Sequence, residues 1–212
     1  MLSLLAVAEI LRDNYREQME GIAMKSLELL RNRRSRYQLD RNIPLSHQEL
    51  LDLIDEVTAQ VPDAFNMQSQ RLLVVTGENQ DALWNRIFEV FEGKVPREKI
   101  DSFRAGYGTI LYFYDQQVTE EMAGKFSAYA DKFPHWAAQS LGMLQFSLWM
   151  ALREAGIGAS LQHYNPVIDH EVKQMFDLPE TWVLDAQMPF GLARDEPQPK
   201  QLQDIRQRVI QK

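Results

Sequence analysis

A chain of 212 residues is long enough to enclose one sizeable hydrophobic core, and points to a single domain with room for an appended arm. Its formal charge of -7 and pI near 5.2 exclude a general nucleic-acid binder, because such proteins need a positive surface to displace counterions from phosphates. The lack of cysteine excludes a disulfide framework, a thiolate metal site and a cysteine nucleophile; a mean hydropathy of -0.38 with no long uncharged apolar run excludes a membrane-spanning helix, so a cytoplasmic protein is expected.

In chain order, "MLSLLAVAEIL" resembles a signal-peptide core but lacks a basic start and meets Glu9, Arg12 and Asp13 too early, so it reads as an amphipathic helix. Met24 offers a second start, which makes residues 1–23 an N-terminal helical extension ahead of a domain spanning 24–212. In "PLSHQELLDLIDEV", Ser46 and Glu49 form a capping box, and Leu50, Leu53, Ile54 and Val57 recur at helical spacing, predicting a helix from Ser46 to Gln60. "RLLVVTG" reads as a buried strand closed by Gly77, and "NQDALWNRIFEVFEG" as a helix with Gly93 at its C-cap. After a loop rich in breakers, "AGYGTILYFYD" reads as a second strand, and a helix capped by Thr119 follows through "EEMAGKFSAYADKF". "QSLGMLQFSLWMALREAG" is apolar nearly all round, which predicts either a central core helix or one covered by another subunit. "GASLQHY" and "WVLDAQMPFG" supply two further strands, and a Pro/Gln-rich piece, "DEPQPKQ", opens a C-terminal tail. The interleaving predicts an α+β domain, a central mixed sheet surrounded by helices.

Three polar clusters stand out from this framework. "RNRRSRY" sets Arg33, Arg34, Ser35 and Arg36 together; the arginine fork suits phosphate oxygens and a serine hydroxyl completes a compact anion site, while a solvated basic helix end explains the same residues. "PDAFNMQSQR" crowds Asn66, Gln68, Ser69 and Gln70 before a buried strand, either as amides for the edge of a heteroaromatic ring or as a loop tying down its own backbone. "GIGASLQHYNP" ends a glycine-punctuated strand in Gln162, His163, Tyr164 and Asn165, which suggests a site wall. His163 and His170 lack the partners for a metal site, and no nucleophile elbow, P-loop or dinucleotide fingerprint is present, so no metal and no catalytic nucleophile is expected.

Taken in order, "RNRRSRY", "LIDEVTAQVPDAFNMQSQRLLVV", "FRAGYGTILYFYD" and "GMLQFSLWMALREAGIGASLQHYNP" resemble the FMN-dependent nitroreductase family. More narrowly they are similar to the branch of the fatty-acid-repression-mutant protein and the copper-induced nitroreductase, over roughly residues 25–200. The resemblance implies a nitroreductase-like fold in an intertwined homodimer with FMN at the subunit interface, and hydride passing from NAD(P)H through the flavin to nitroaromatic or related acceptors. It implies phosphate contacts from Arg33, Arg34, Ser35 and Lys200. It further implies that the turn of Pro62, Asp63, Ala64, Asn66 and Gln68 meets the flavin from the other subunit, and that Leu161, Gln162 and His163 lie against the ring. Many members carry Lys or Arg two places after the serine, where this chain has Tyr37; Arg36 and Arg104 are the nearest candidates to supply that positive charge. A flavin-binding regulatory or stress-response protein with incidental turnover is the alternative that the same resemblance leaves open.

Overall fold

The computed structural model describes residues 26–212, so the expected extension over 1–23 lies outside the described residues. Helix α1 occupies 26–32 and leads past the arginine cluster into the short strand β1, Leu39–Asp40. Helix α2, His47–Gln60, is capped as its sequence demands: the Ser46 side chain accepts from the Glu49 amide, and the Glu49 carboxylate accepts from the Ser46 amide. Strand β2, Gln70–Thr76, is followed by helices α3, Gly77–Val90, and α4, Arg97–Arg104. Then come strand β3, Gly108–Asp115, helices α5, Gln116–Lys125, and α6, Phe133–Glu154, strand β4, Gly158–Ala159, helix α7, Asp169–Phe176, and strand β5, Trp182–Ala193.

The sheet order is β1-β5-β3-β2, with β4 also on β5. Every ladder is antiparallel, and the parallel part of this sheet is the single bridge between Ser35 and Ala159. Strand β3 explains the three-layer build. Successive side chains on a strand point to opposite faces, so Ile110 and Tyr112 pack toward α2 and α6 while Leu111 and Phe113 pack toward α3, α4 and α7. Both faces are covered, which is why "TILYF" is apolar without alternation. The entry to β3 needs glycine for a steric reason: a Cβ at Gly108 would lie 2.5 Å from the Val75 carbonyl oxygen.

Several expectations are corrected in detail. Thr119 does not cap α5 but is buried within it, and Asp115 caps by accepting from the Gln117 amide. Helix α3 ends at Val90 with Phe91 at the cap; Gly93, at φ +79°, turns the chain two residues later. The breaker-rich loop contains α4, started by Pro96, and α7 had no expectation set against it. "GASLQHY" pairs as a strand only at Gly158 and Ala159, plus one bridge from Gln162 to Gln187. Helix α6 begins six residues earlier than its apolar run and buries one face, through Leu141, Leu144, Leu148 and Leu152, while Met143 and Phe146 remain 45% and 44% exposed.

Leu148 is fully buried in the larger core. Leu148→Ala is therefore expected to cost about 2–5 kcal/mol, through lost transfer energy and an unfilled cavity. Urea unfolding of the variant beside the parent checks this.

Candidate functional site

The arginine cluster is placed by the backbone of β4. The last helical bond of α1 runs from the Arg33 amide to the Leu29 carbonyl, 2.8 Å. Ser35 then bridges Ala159, and the Arg36 amide donates to the Ala159 carbonyl oxygen at 3.0 Å. The same oxygen accepts from Trp149 Nε1 on α6 at 3.2 Å. Gly158 permits this approach, since a Cβ there would meet the Cβ of Ala193 at 2.7 Å and that of Arg36 at 3.2 Å.

An open cleft of about 540 Å³ results, with Arg33, Arg34, Ser35, Tyr37 and Gln38 on one wall and residues 195–200 on the other, including Lys200. The structure thus brings together all four residues expected to hold a phosphate. Arg34 donates to the Gln198 carbonyl, tying the tail to the cluster. Arg33 lies with its guanidinium carbon 4.0 Å from the Trp149 ring centroid and 5.9 Å from that of Phe146. Its Nε and Nη1 are buried and have no acceptor among the described residues. Burial, and then the neighbouring Arg34 charge, lower the Arg33 guanidinium from its ordinary value. Buried donors with no acceptor carry a cost of about 1–3 kcal/mol, and an oxyanion in the cleft would supply acceptors. The residues present fit a phosphate group.

Neither arginine proposed to stand in at position 37 is free. Arg36 pairs with Asp195 at 3.0 Å, and Arg104 lies on α4 bonded to Asp101 at 3.1 Å and to Asn85 at 3.4 Å. Tyr37 is 49% exposed, and its amide donates to Asp195 at 3.1 Å. The burial of Asp195 pushes its carboxyl up, but the Tyr37 amide and the Arg36 fork outweigh that, and the group lies below the ordinary carboxylate range.

Leu161, Gln162 and His163 follow β4 along β5. Gln162 exchanges backbone hydrogen bonds with Gln187 at 2.7 and 2.9 Å and its side chain donates to Ser160 Oγ at 3.0 Å; His163 is exposed. Tyr164 departs from the expected wall, because its ring turns inward against Trp84 at 5.8 Å and Phe91 at 5.4 Å, where burial pushes its phenol up to about 12. Sequence reasoning missed Gln187. It is fully buried, and its Oε1 accepts from the Tyr164 amide at 2.8 Å, which shapes the segment carrying His163. The available signal was a lone amide inside the apolar strand "WVLDAQMPFG", a position that buries only if its polar atoms find partners.

The turn at 62–68 is a separate structure within one chain. Asp63 accepts from the amides of Ala64 (2.8 Å) and Ser69 (2.7 Å) and from the Ser69 hydroxyl (2.7 Å). Phe65, Asn66 and Gln68 adopt left-handed φ values of 55°, 51° and 50°, and Asn66 and Gln68 are exposed, lining a different cleft of about 520 Å³. The Pro62 carbonyl accepts from Ser140 on α6 at 2.7 Å. Ser140 and Trp149 are separated by nine positions, about 14 Å along the helix and half a turn around it. The structure therefore does not bring Pro62, Asp63, Ala64, Asn66 or Gln68 to the arginine cleft of the same chain.

A three-layer α/β/α domain with an antiparallel sheet, a basic cleft at the end of its first described helix and an exposed amide turn on the far side of α6 is thus in place. Residues 30–192 match the model of the nitroreductase family, and the chain belongs to that family. It is similar to the nitroreductase CinD from Lactococcus lactis, whose structure in complex with chloramphenicol superposes with a TM-score of 0.83 at 39% identity, covering 88% of this chain and 98% of that one. Over 168 residues it is 32% identical to HBN1 of Saccharomyces cerevisiae, covering 78% of this chain and 86% of the relative; nitroreductase FRM2 from the same yeast is 29% identical over 177 residues, 82% and 91% of the two chains. A structure from Exiguobacterium sibiricum in complex with FMN shares the fold at a TM-score of 0.70 and 16% identity, over 88% of this chain and 96% of that one.

Because the Asp195 carboxyl is depressed, its contribution to stability is full above the ordinary Asp value of about 3.9 and is lost as pH falls through the lower folded value. Asp195→Asn is expected to lower stability at pH 7 and to leave it nearly unchanged at the acid end of that range. Urea midpoints of both proteins across the acid range test the sign.

Proposed function

We propose that this chain is an FMN-dependent oxidoreductase that uses NAD(P)H to reduce nitroaromatic or related electron acceptors, working in the cytoplasm as a homodimer. The observation that carries the reading is the Arg33 guanidinium, buried with two donors that have no acceptor among the described residues, in a cleft shared with Arg34, Ser35 and Lys200. In this reading those four residues bind the FMN phosphate. Leu161, Gln162 and His163 line the ring, with the backbone of Gln162 held by Gln187. Pro62, Asp63, Ala64, Asn66 and Gln68 of a second copy cover it from the other side, and residues 24–212 form the working domain. The half-exposed apolar side chains of α6, Met143 and Phe146, support a homodimer, because such interfaces resemble a core cut in half.

When bound, FMN supplies the redox chemistry, taking hydride from NAD(P)H and delivering it to the acceptor in a ping-pong cycle. The protein's own share is binding, orientation and exclusion of water, which requires no side-chain nucleophile. The choice of acceptor class is supported by CinD, 39% identical, whose structures hold chloramphenicol and 4-nitrophenol, both nitroaromatic compounds.

The test is the visible absorption spectrum of the purified protein with mass analysis of what heat releases, then turnover of 4-nitrophenol with NADH and NADPH separately. Yellow protein releasing FMN is expected; colourless protein that does not take up added FMN overturns the reading. Arg33→Ala is expected to weaken FMN binding roughly ten- to hundredfold with the fold retained, the loss of one charge-assisted contact. Equilibrium dialysis against FMN measures it.

A further inference from the structure

We propose that Trp149 is a positioning residue for the flavin phosphate, holding the Arg33 guanidinium on its ring face in advance of binding while its Nε1–H fixes the strand end to which Ser35 is bridged. The proposal rests on the reading of the cleft as the FMN phosphate site.

Three observations converge on this one side chain. The ring centroid lies 4.0 Å from the Arg33 guanidinium carbon, well inside the range of about 6 Å over which the negative face of an indole attracts a cation. Phe146, one turn earlier on the same face of α6, adds a second ring at 5.9 Å. Arg33 Nε and Nη1 have no hydrogen-bond acceptor among the described residues, so the ring face is what those residues offer the cation before a ligand arrives. At its other edge Trp149 donates to the Ala159 carbonyl oxygen at 3.2 Å, the same oxygen that receives the Arg36 amide at 3.0 Å. Ala159 also bridges Ser35. One indole thus sets the arginine from its face and the serine from its edge.

The physical consequence is preorganisation. An arginine side chain free in solvent loses rotamer freedom when it is fixed. Held against Trp149, Arg33 has lost that freedom before the phosphate binds, so more of the contact energy appears as affinity. A ring used only to fill space would act through its volume; a ring used in this way acts through the charge on its face.

That difference is testable in the full-length protein without changing shape. Tryptophan carrying one to four ring fluorines, introduced at position 149 alone, drains negative charge from the ring face at nearly constant volume. FMN affinity, read from quenching of flavin fluorescence, is expected to fall stepwise by roughly three- to thirtyfold across the series, with the apoprotein remaining folded. In the Arg33→Ala background the same series is expected to be flat, because the cation that feels the face is gone. Trp149→Phe, which keeps a face but loses the Nε1–H, is expected to bind more tightly than Trp149→Leu. Affinity independent of fluorination in the parent overturns the role of Trp149 while leaving the FMN site standing, as does an equal dependence in the Arg33→Ala background. A parent protein that binds no FMN overturns both.

Discussion

The carbonyl oxygen of Ala159 is the joint on which the candidate site hangs. It accepts from the Arg36 amide and from Trp149 Nε1, so a loop from the N-terminal side, a strand end and the long helix meet at one atom. Two of these elements are weak alone: β4 has two residues, and the segment 33–37 has no regular structure beyond its bridge. Shared acceptance converts them into a fixed wall. The close approach depends on glycine at 158, where the Ala193 Cβ and the Arg36 side chain already fill the space that a Cβ would need. The basic cleft is therefore a product of backbone geometry first and of charge second.

The charges are then sorted by what they pair with. Arg36 is absorbed by Asp195, and Arg104 by Asp101, which leaves Arg33, Arg34 and Lys200 around the cleft. Such sorting explains how a chain of net charge -7 keeps a local basic cleft. Three neighbouring cations in a partly enclosed cleft attract an anion more strongly than the same charges spread over a wet surface, because the local dielectric is lower. Of the two carboxylates that line the cleft, Asp195 is committed to Arg36 and the Tyr37 amide, which leaves Glu196 against the three cations.

Much of this was legible from residue order alone, and the misses have physical causes. The capping box at Ser46 and the apolar run of β3 announced their elements because local chemistry and tertiary environment agree there. Helix α4 was hidden because Pro96 reads as a breaker, although proline is well suited to a helix start, where its missing amide proton costs nothing. Thr119 looked like a cap because it is a threonine before two glutamates, yet Asp115, at the end of a strand, was the residue with an extended backbone free to cap. Tyr164 counted as part of a polar wall by its position between His163 and Asn165, but only the fold shows its ring turned into the aromatic core. Lys200 lies 165 positions after Ser35, so spacing could not suggest its grouping with Arg33, Arg34 and Ser35; resemblance to a family did.

The placement of the amide turn constrains how a complete flavin site can be built. Ser140 holds the turn at Pro62 and Trp149 holds the arginine cleft, and both belong to one continuous helix. A helix does not stretch, so the separation of about 14 Å and half a turn between those two residues is fixed, and rearranging loops does not close it. In the proposed homodimer the turn of one copy serves the cleft of the other. A two-fold interface sets the same patch of each copy against its equivalent, and the exposed apolar residues of α6 lie along the element that joins the two half-sites. Covering Phe146 in such an interface would also remove water from one side of Arg33, which would strengthen the pull of the guanidinium on a phosphate. In that proposed assembly, dimerisation and cofactor affinity would be coupled through a single helix: a change that loosens the α6 contact would weaken the proposed phosphate site even when none of its own residues is touched.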